Sequence, residues 1–346
     1  MEISFSFIVP VLNRPDEIRE LLLSMEQLDF KKPFEVVIVE DGSSISSRDV
    51  ASCFSESLDI SYYEKLNSGP GDSRNFGMQQ AKGNYFLILD SDVILPIDYL
   101  KNVETELNRK FTHCFGGPDA AHESFSSVQK AINYAMTSFF TTGGIRGNKK
   151  TVDKFQPRSF NMGLSAEAFK ASGGFGNIHP GEDPDLALRL QKAGYDTRLF
   201  PEAVVFHKRR IDWNKFYRQV YKFGLVRPIL NSWHPESDKI TYWFPSLFSA
   251  GLILAVILGI IGYMPFLCLY AAYFIVILID ASVQNNSVGI GIKAVWATLI
   301  QFLGYGFGFC RSTCYIRLLN KNPREGFPKL FFKNARYSKS PHQDTI

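Results

Sequence analysis

An α/β fold with a mostly parallel sheet and flanking helices, followed by transmembrane helices, is what the 346-residue sequence predicts, and three observations carry it. Short apolar runs at 4–12, 34–39 and 85–89 alternate with segments of helical periodicity, the pattern of strands buried on both faces. Each run ends in polar residues, at Asn13, at Asp41, and at Asp90 with Asp92, where open α/β sheets bind their ligands. Finally, residues 240–279 contain no Asp, Glu, Lys or Arg. As a helix that stretch would extend roughly 60 Å, about twice a bilayer core of roughly 30 Å, so it reads as two crossings.

In chain order, the run at 4–12 is a first strand. Pro15 opens a helix to about residue 29, with Ile18, Leu21, Leu22 and Met25 on one face. The run at 34–39 is a second strand, ending in Glu40-Asp41-Gly42. A helix and a short strand at 60–63 follow. The loop 67–71 then feeds a helix carrying Arg74, Asn75 and Gly77, and the strand 85–89 comes next. Further on, Pro184 suits a first helical position with Asp183 as N-cap and Leu186, Leu190 and Ala193 on the buried face. Residues 201–206 read as a strand ending beside His207. No Gly-x-Gly-x-x-Gly follows the first strand and no Walker-type Gly-Lys-Ser/Thr is present, which disfavours a dinucleotide site and a P-loop.

The expected organisation is a soluble domain over 1–228, including a basic interfacial helix at about 212–226. A membrane region follows over 240–316, with segments near 245–262, 264–281 and 292–314, and then a basic tail at 317–346. A net charge of +4 conceals two clusters, Lys208 to Arg227 before the first apolar segment and Arg311 to Lys339 after the last. Basic residues beside membrane segments mark the cytoplasmic face and attract anionic lipid, a better account here than nucleic acid. With no signal peptide legible, the soluble domain is expected in the cytoplasm of a multi-pass membrane protein. Whether two or three segments cross is open, because Gly304, Gly306 and Gly308 would permit a shallow or broken third. Five scattered cysteines make no disulfide framework, and Cys310 with Cys314 fits helix packing better than zinc.

Asp90-Ser91-Asp92 is the chemically pointed stretch. Two carboxylates just past a buried strand are costly without a partner, and a hard divalent cation would supply one. An Asx-type turn is the plainer reading of the same residues.

The motifs around it resemble glycosyltransferase family 2, of the GT-A fold. These are PVLN at 10–13, EDGSS at 40–44, GPGDSRNFGMQQAKGNYFLILDSD at 69–92 and GGP at 116–118. NMGLSAEAF at 161–169, GGF at 173–175 and GEDPDLALRLQKAGY at 181–195 continue the series. The resemblance implies an inverting transfer from a nucleotide diphosphate sugar, dependent on Mn²⁺ or Mg²⁺. The acceptor would be lipid-linked or a membrane-proximal glycan, as in cell-surface polysaccharide synthesis. It assigns Pro10, Asn13, Asp41, Arg74, Asp90 and Ser91 to the nucleotide and donor. Asp92 takes the metal, with Asp90, and a late histidine, His207, completes the shell. Asp183 becomes the base for the acceptor hydroxyl, and Glu182 supports it. For each there is a plainer reading: a turn at Asp41, a solvated helix face at Arg74, a cap at Asp183, a structural histidine at 207. Gln219, Lys222 and Phe223 only loosely match the Gln-x-x-Arg-Trp signature of processive synthases. A processive polysaccharide synthase and a catalytically silent nucleotide-sugar-binding scaffold are the alternatives. Residues 133–150 and 154–159 fall where acceptor loops are expected.

Overall fold

In the computed structural model, which describes residues 2–120, 125–143, 155–208 and 212–332, the run Phe5–Val11 forms strand β1 of a seven-stranded sheet. Its other members are β2 (Phe34–Asp41), β3 (Asp59–Lys65), β4 (Tyr85–Leu89), β6 (Cys114–Gly116), β8 (Asn161–Ser165) and β9 (Thr197–Leu199). A second sheet contains β5 (Val93–Ile94), β7 (Asp119–Ala120) and β10 (Val205–His207). The large sheet runs β3-β2-β1-β4-β8-β6-β9. Parallel pairing joins β1 to β2 and β4, β2 to β3, and β6 to β9, while β8 is antiparallel to both β4 and β6.

The strands are apolar on both sides because both faces are covered. Phe7, Val9, Ile38 and Leu87 meet one cluster, with Ile18, Leu21 and Leu22 of the helix Pro15–Glu26; Ile8, Val37, Val39 and Ile88 meet another, with Leu186 and Leu190. Each such side chain contributes about 1.5–3 kcal/mol when fully buried. The carboxyl ends of β1, β2 and β4 therefore open on one rim of a rigid layer.

Two expected elements differ. No strand spans 201–206: Ala203 N–H closes a turn onto the Phe200 carbonyl, Pro201 has no N–H to give a ladder, and pairing resumes only at Val205. The helix Glu182–Lys192 begins before Pro184, with Gly181 as its N-cap at a φ of 114°. Asp183 is consequently inside the first turn and not the cap. Pro184 is tolerated there because first-turn N–H groups have no intrahelical acceptor. Ala193 is exposed at the C-cap of that helix rather than on its buried face.

The chain divides into two compact units: Met1–Ala120, Lys149–His207 and Phe331–Ile346 form one, and Ala121–Asn148 with Lys208–Leu330 form the other. In the second unit, helices Ser127–Thr137 and Phe139–Thr142 group with the apolar helices, so 133–142 is not an isolated loop. Residues 144–154, the remainder of the expected acceptor region up to Lys154, lie outside the described residues. Ile132, Ala135 and Met136 pack with Phe216 and Val220 of helix Trp213–Trp233 and with Ala297. That basic helix is longer than the expected 212–226 and groups with this second unit. Ile240–Ile260, Pro265–Gln284 and Val288–Leu318 are long and apolar enough to cross a membrane. The third contains one unbroken α-helix, Val288–Thr313, despite its three glycines.

Candidate active site

Asp90, Ser91 and Asp92 leave the carboxyl end of β4, and β5 follows at once. There Val93 stands opposite His207 of β10, so the small sheet carries His207 to the acidic loop. Ligand atoms of Asp90, Asp92 and His207 lie within 4.8 Å of one another. His207 Nε2 is 3.2 Å from Asp92 Oδ1, and its Nδ1 faces Asp119 Oδ2 at 3.8 Å. The Phe160 ring stacks on the imidazole, with centroids 4.8 Å apart. Two carboxylates and an imidazole backed by a buried carboxylate make a donor set that fits a divalent cation such as Mn²⁺ or Mg²⁺. Arg14 NH1 donates to Asp92 Oδ2 at 2.6 Å. His207 is thus part of the acidic cluster and not an isolated core histidine.

Arg74 ties this cluster to the second acidic motif. Its NH2 donates to Asp90 Oδ1 at 2.6 Å and its NH1 to Glu182 Oε1 at 3.0 Å. The guanidinium is 3% exposed, so it is not a solvated helix face. Burial works against its charge, but Asp90 and Glu182 raise its pKa above the ordinary value. Glu182 is as deeply buried, and its Oε1 also meets His179 Nδ1 at 2.9 Å. Burial would push the carboxyl up; His179 and Arg74 outweigh it and hold it down at about 2. Asp183, the neighbour inside the first helical turn, lies 3.7 Å from Arg158 NH1. Helix N-terminus and guanidinium both favour negative charge there.

The expected donor residues sit at the adjoining strand ends. Asp41 is buried and organises the loop after β3. Its Oδ1 accepts from Lys65 Nζ at 2.7 Å and Ser68 N at 2.9 Å, and its Oδ2 accepts from Gly69 N at 2.9 Å. Asn13, at a φ of 54°, accepts from Ser44 N at 2.7 Å and Ile45 N at 2.9 Å, stapling the loop after β1 to the loop after β2. Pro10 lies within β1, and Ser91 is buried between the two aspartates. The site also contains Arg14, Lys65, Asp119, Arg158 and His179, none of which sequence reasoning singled out. Only His179, three residues before Glu182, and Arg14, next to Asn13, carried a local signal.

A mostly parallel sheet with acidic loops at the carboxyl ends of its strands is the architecture of the GT-A fold. Residues 6–171, just under half of the chain, match the model of glycosyl transferase family 2. A poly(ribitol-phosphate) beta-N-acetylglucosaminyltransferase, TarS, of Staphylococcus aureus is 38% identical over 101 residues, 28% of this chain and 18% of its own. A GalNAc(5)-diNAcBac-PP-undecaprenol beta-1,3-glucosyltransferase of Campylobacter jejuni is 31% identical over 114 residues, 32% of this chain and 37% of its own. The chain thus spans well under half the length of either relative. Among solved structures, a mannosyltransferase of Pyrobaculum calidifontis in complex with GDP-Man and Mn²⁺ superposes with a TM-score of 0.58 at 18% identity. That match covers 86% of this chain and 88% of the other, and establishes a shared fold.

Proposed function

We propose that the chain is a metal-dependent inverting glycosyltransferase that moves a sugar from a nucleotide diphosphate sugar to a lipid-linked or membrane-proximal glycan acceptor. The observation that carries this reading is the bridge through Arg74, which joins the Asp90–Asp92–His207 cluster to the Glu182-Asp183 pair. The family model, the relatives named for a poly(ribitol-phosphate) and an undecaprenol-linked acceptor, and the three apolar helices support the same reading.

The roles follow from the chemistry each group offers. Asp92, Asp90 and His207 would hold Mn²⁺ or Mg²⁺, which as a Lewis acid neutralises the diphosphate. Asp183 takes the proton from the acceptor hydroxyl as it attacks the face opposite the departing nucleoside diphosphate. Glu182, locked on Arg74 and His179, fixes the turn from which Asp183 projects. Asp41, Asn13, Pro10 and Ser91 shape the pocket for the nucleoside. The catalytic unit works on the cytoplasmic side of the cell membrane.

Release of nucleoside diphosphate from a panel of nucleotide sugars, with and without Mn²⁺, tests this. Asp183→Asn should lower turnover by about 10²–10⁴-fold, the usual range for a general base, with donor binding retained. Asp92→Asn should abolish the metal stimulation of binding. Wild-type protein that binds donor and metal yet never releases the diphosphate would refute the enzyme.

A further inference from the structure

The chain returns to the catalytic unit after its apolar helices. Phe331 forms an antiparallel bridge with Ile178, and Phe332 N–H donates to the Asn177 carbonyl at 2.9 Å. Asn177 Nδ2 donates back to the Phe332 carbonyl at 3.4 Å. These contacts set the Phe332 ring directly on Gly69: a Cβ built there would lie 2.5 Å from the ring's Cγ and 2.8 Å from its Cε2. On its other side the ring faces His179, with centroids 6.2 Å apart.

Both neighbours belong to the acidic machinery. Gly69 N–H is one of the donors that hold Asp41, and His179 is the partner of Glu182. One aromatic ring, 263 residues later in sequence than the first of them, therefore touches the loop of the nucleotide side and the loop of the catalytic side. Gly69 has a φ of 97°, where a side chain would be strained as well as blocked by the ring.

We propose that Phe332 is a positioning residue of the donor site. It clamps the Asn67–Gly69 loop against the 177–182 segment so that Asp41 and Glu182 keep a fixed separation before donor arrives. This rests on the donor site proposed above. Without the ring, each loop keeps its own hydrogen bonds but loses the wall they share. The donor must then order them itself, which raises its dissociation constant and KM and leaves the chemical step unchanged.

The test uses the full chain in detergent with two probes, UDP and GDP, each with Mn²⁺, titrated calorimetrically against wild type, Phe332→Ala and Phe332→Tyr. Phe332→Ala should weaken binding of whichever nucleotide the wild type takes by roughly tenfold, the order expected when a ligand must order a loop. Its donor KM should rise in step with kcat retained, and its melting temperature without ligand should stay near wild type. Phe332→Tyr, which keeps the ring, should restore wild-type binding. Unchanged affinity in Phe332→Ala overturns the clamp and leaves a docked tail. Tighter binding overturns it in favour of a plug that competes with donor. Lost binding accompanied by a lowered melting temperature in both variants reduces the ring to a structural role. Failure of wild type to bind either nucleotide refutes the donor site itself, a result distinct from all of these.

Discussion

Glu182 is a buried carboxylate held between Arg74 and His179, and its energetics are separable from catalysis. With its carboxyl held at about 2 in the fold and near 4.5 when unfolded, it stabilises the protein fully above about pH 4.5. That contribution, on the order of 3 kcal/mol, is lost as pH falls through about 2. Glu182→Gln should therefore melt well below wild type at pH 7 by circular dichroism, with the gap closing toward pH 2. A gap that persists unchanged in acid would mean that the charge is not what stabilises the turn. At this scale the sequence was informative wherever chemistry demands a residue type at a fixed place. Asp90 and Asp92 stand after a buried strand, and Glu182 and Asp183 before an apolar helix. The ties between them were not legible. Arg74 meets Glu182 across 108 positions and Arg14 meets Asp92 across 78, and no periodicity records such distances.

Elements were legible where burial alone sets them, as in β1, β2 and β4, whose unbroken apolar runs match their two covered faces. Glycine in the last apolar helix pointed the wrong way. Gly304, Gly306 and Gly308 suggested a break, yet Val288–Thr313 is continuous and uses them for contact. A Cβ on Gly304 would stand 2.7 Å from Val220 Cγ2, and one on Gly308 would strike the Tyr221 carbonyl and lie 3.0 Å from Leu225 N. From the other helix, a Cβ on Gly224 would sit 2.8 Å from Phe309 N. Helices Trp213–Trp233 and Val288–Thr313 thus approach backbone to backbone, the small-residue packing that apolar helices use where lipid removes the hydrophobic drive. Gly308→Val should destabilise this unit by about 1–3 kcal/mol, as overpacking does, while Gly289→Val, with only Ser287 Oγ nearby at 3.8 Å, should cost far less. All four tryptophans, at 213, 233, 243 and 296, lie in this unit, so thermal unfolding in detergent followed by tryptophan fluorescence reads it directly.

At the scale of the whole molecule, the two ends of the membrane region constrain each other. Val205–His207 pairs with β5 and β7, and Phe331 pairs with Ile178, all within the unit built on the large sheet. With both of these ends on the same unit, we expect the chain between residues 208 and 330 to cross a bilayer an even number of times. Among the described residues three stretches qualify by length and composition, so the expectation is that two of them cross. The charge pattern agrees, since Lys208 to Arg227 and Arg311 to Lys339 flank the region with basic residues at both ends, the cytoplasmic mark. Cys53 is exposed in the sheet-bearing unit and reports its side; Lys329→Cys, in a background with Cys268, Cys310 and Cys314 replaced, reports the returning chain. In sealed vesicles of one orientation, an impermeant maleimide should label both positions from the same face. Labelling of position 329 from the opposite face alone would require an odd number of crossings, and it would detach Phe331 and Phe332 from the catalytic unit.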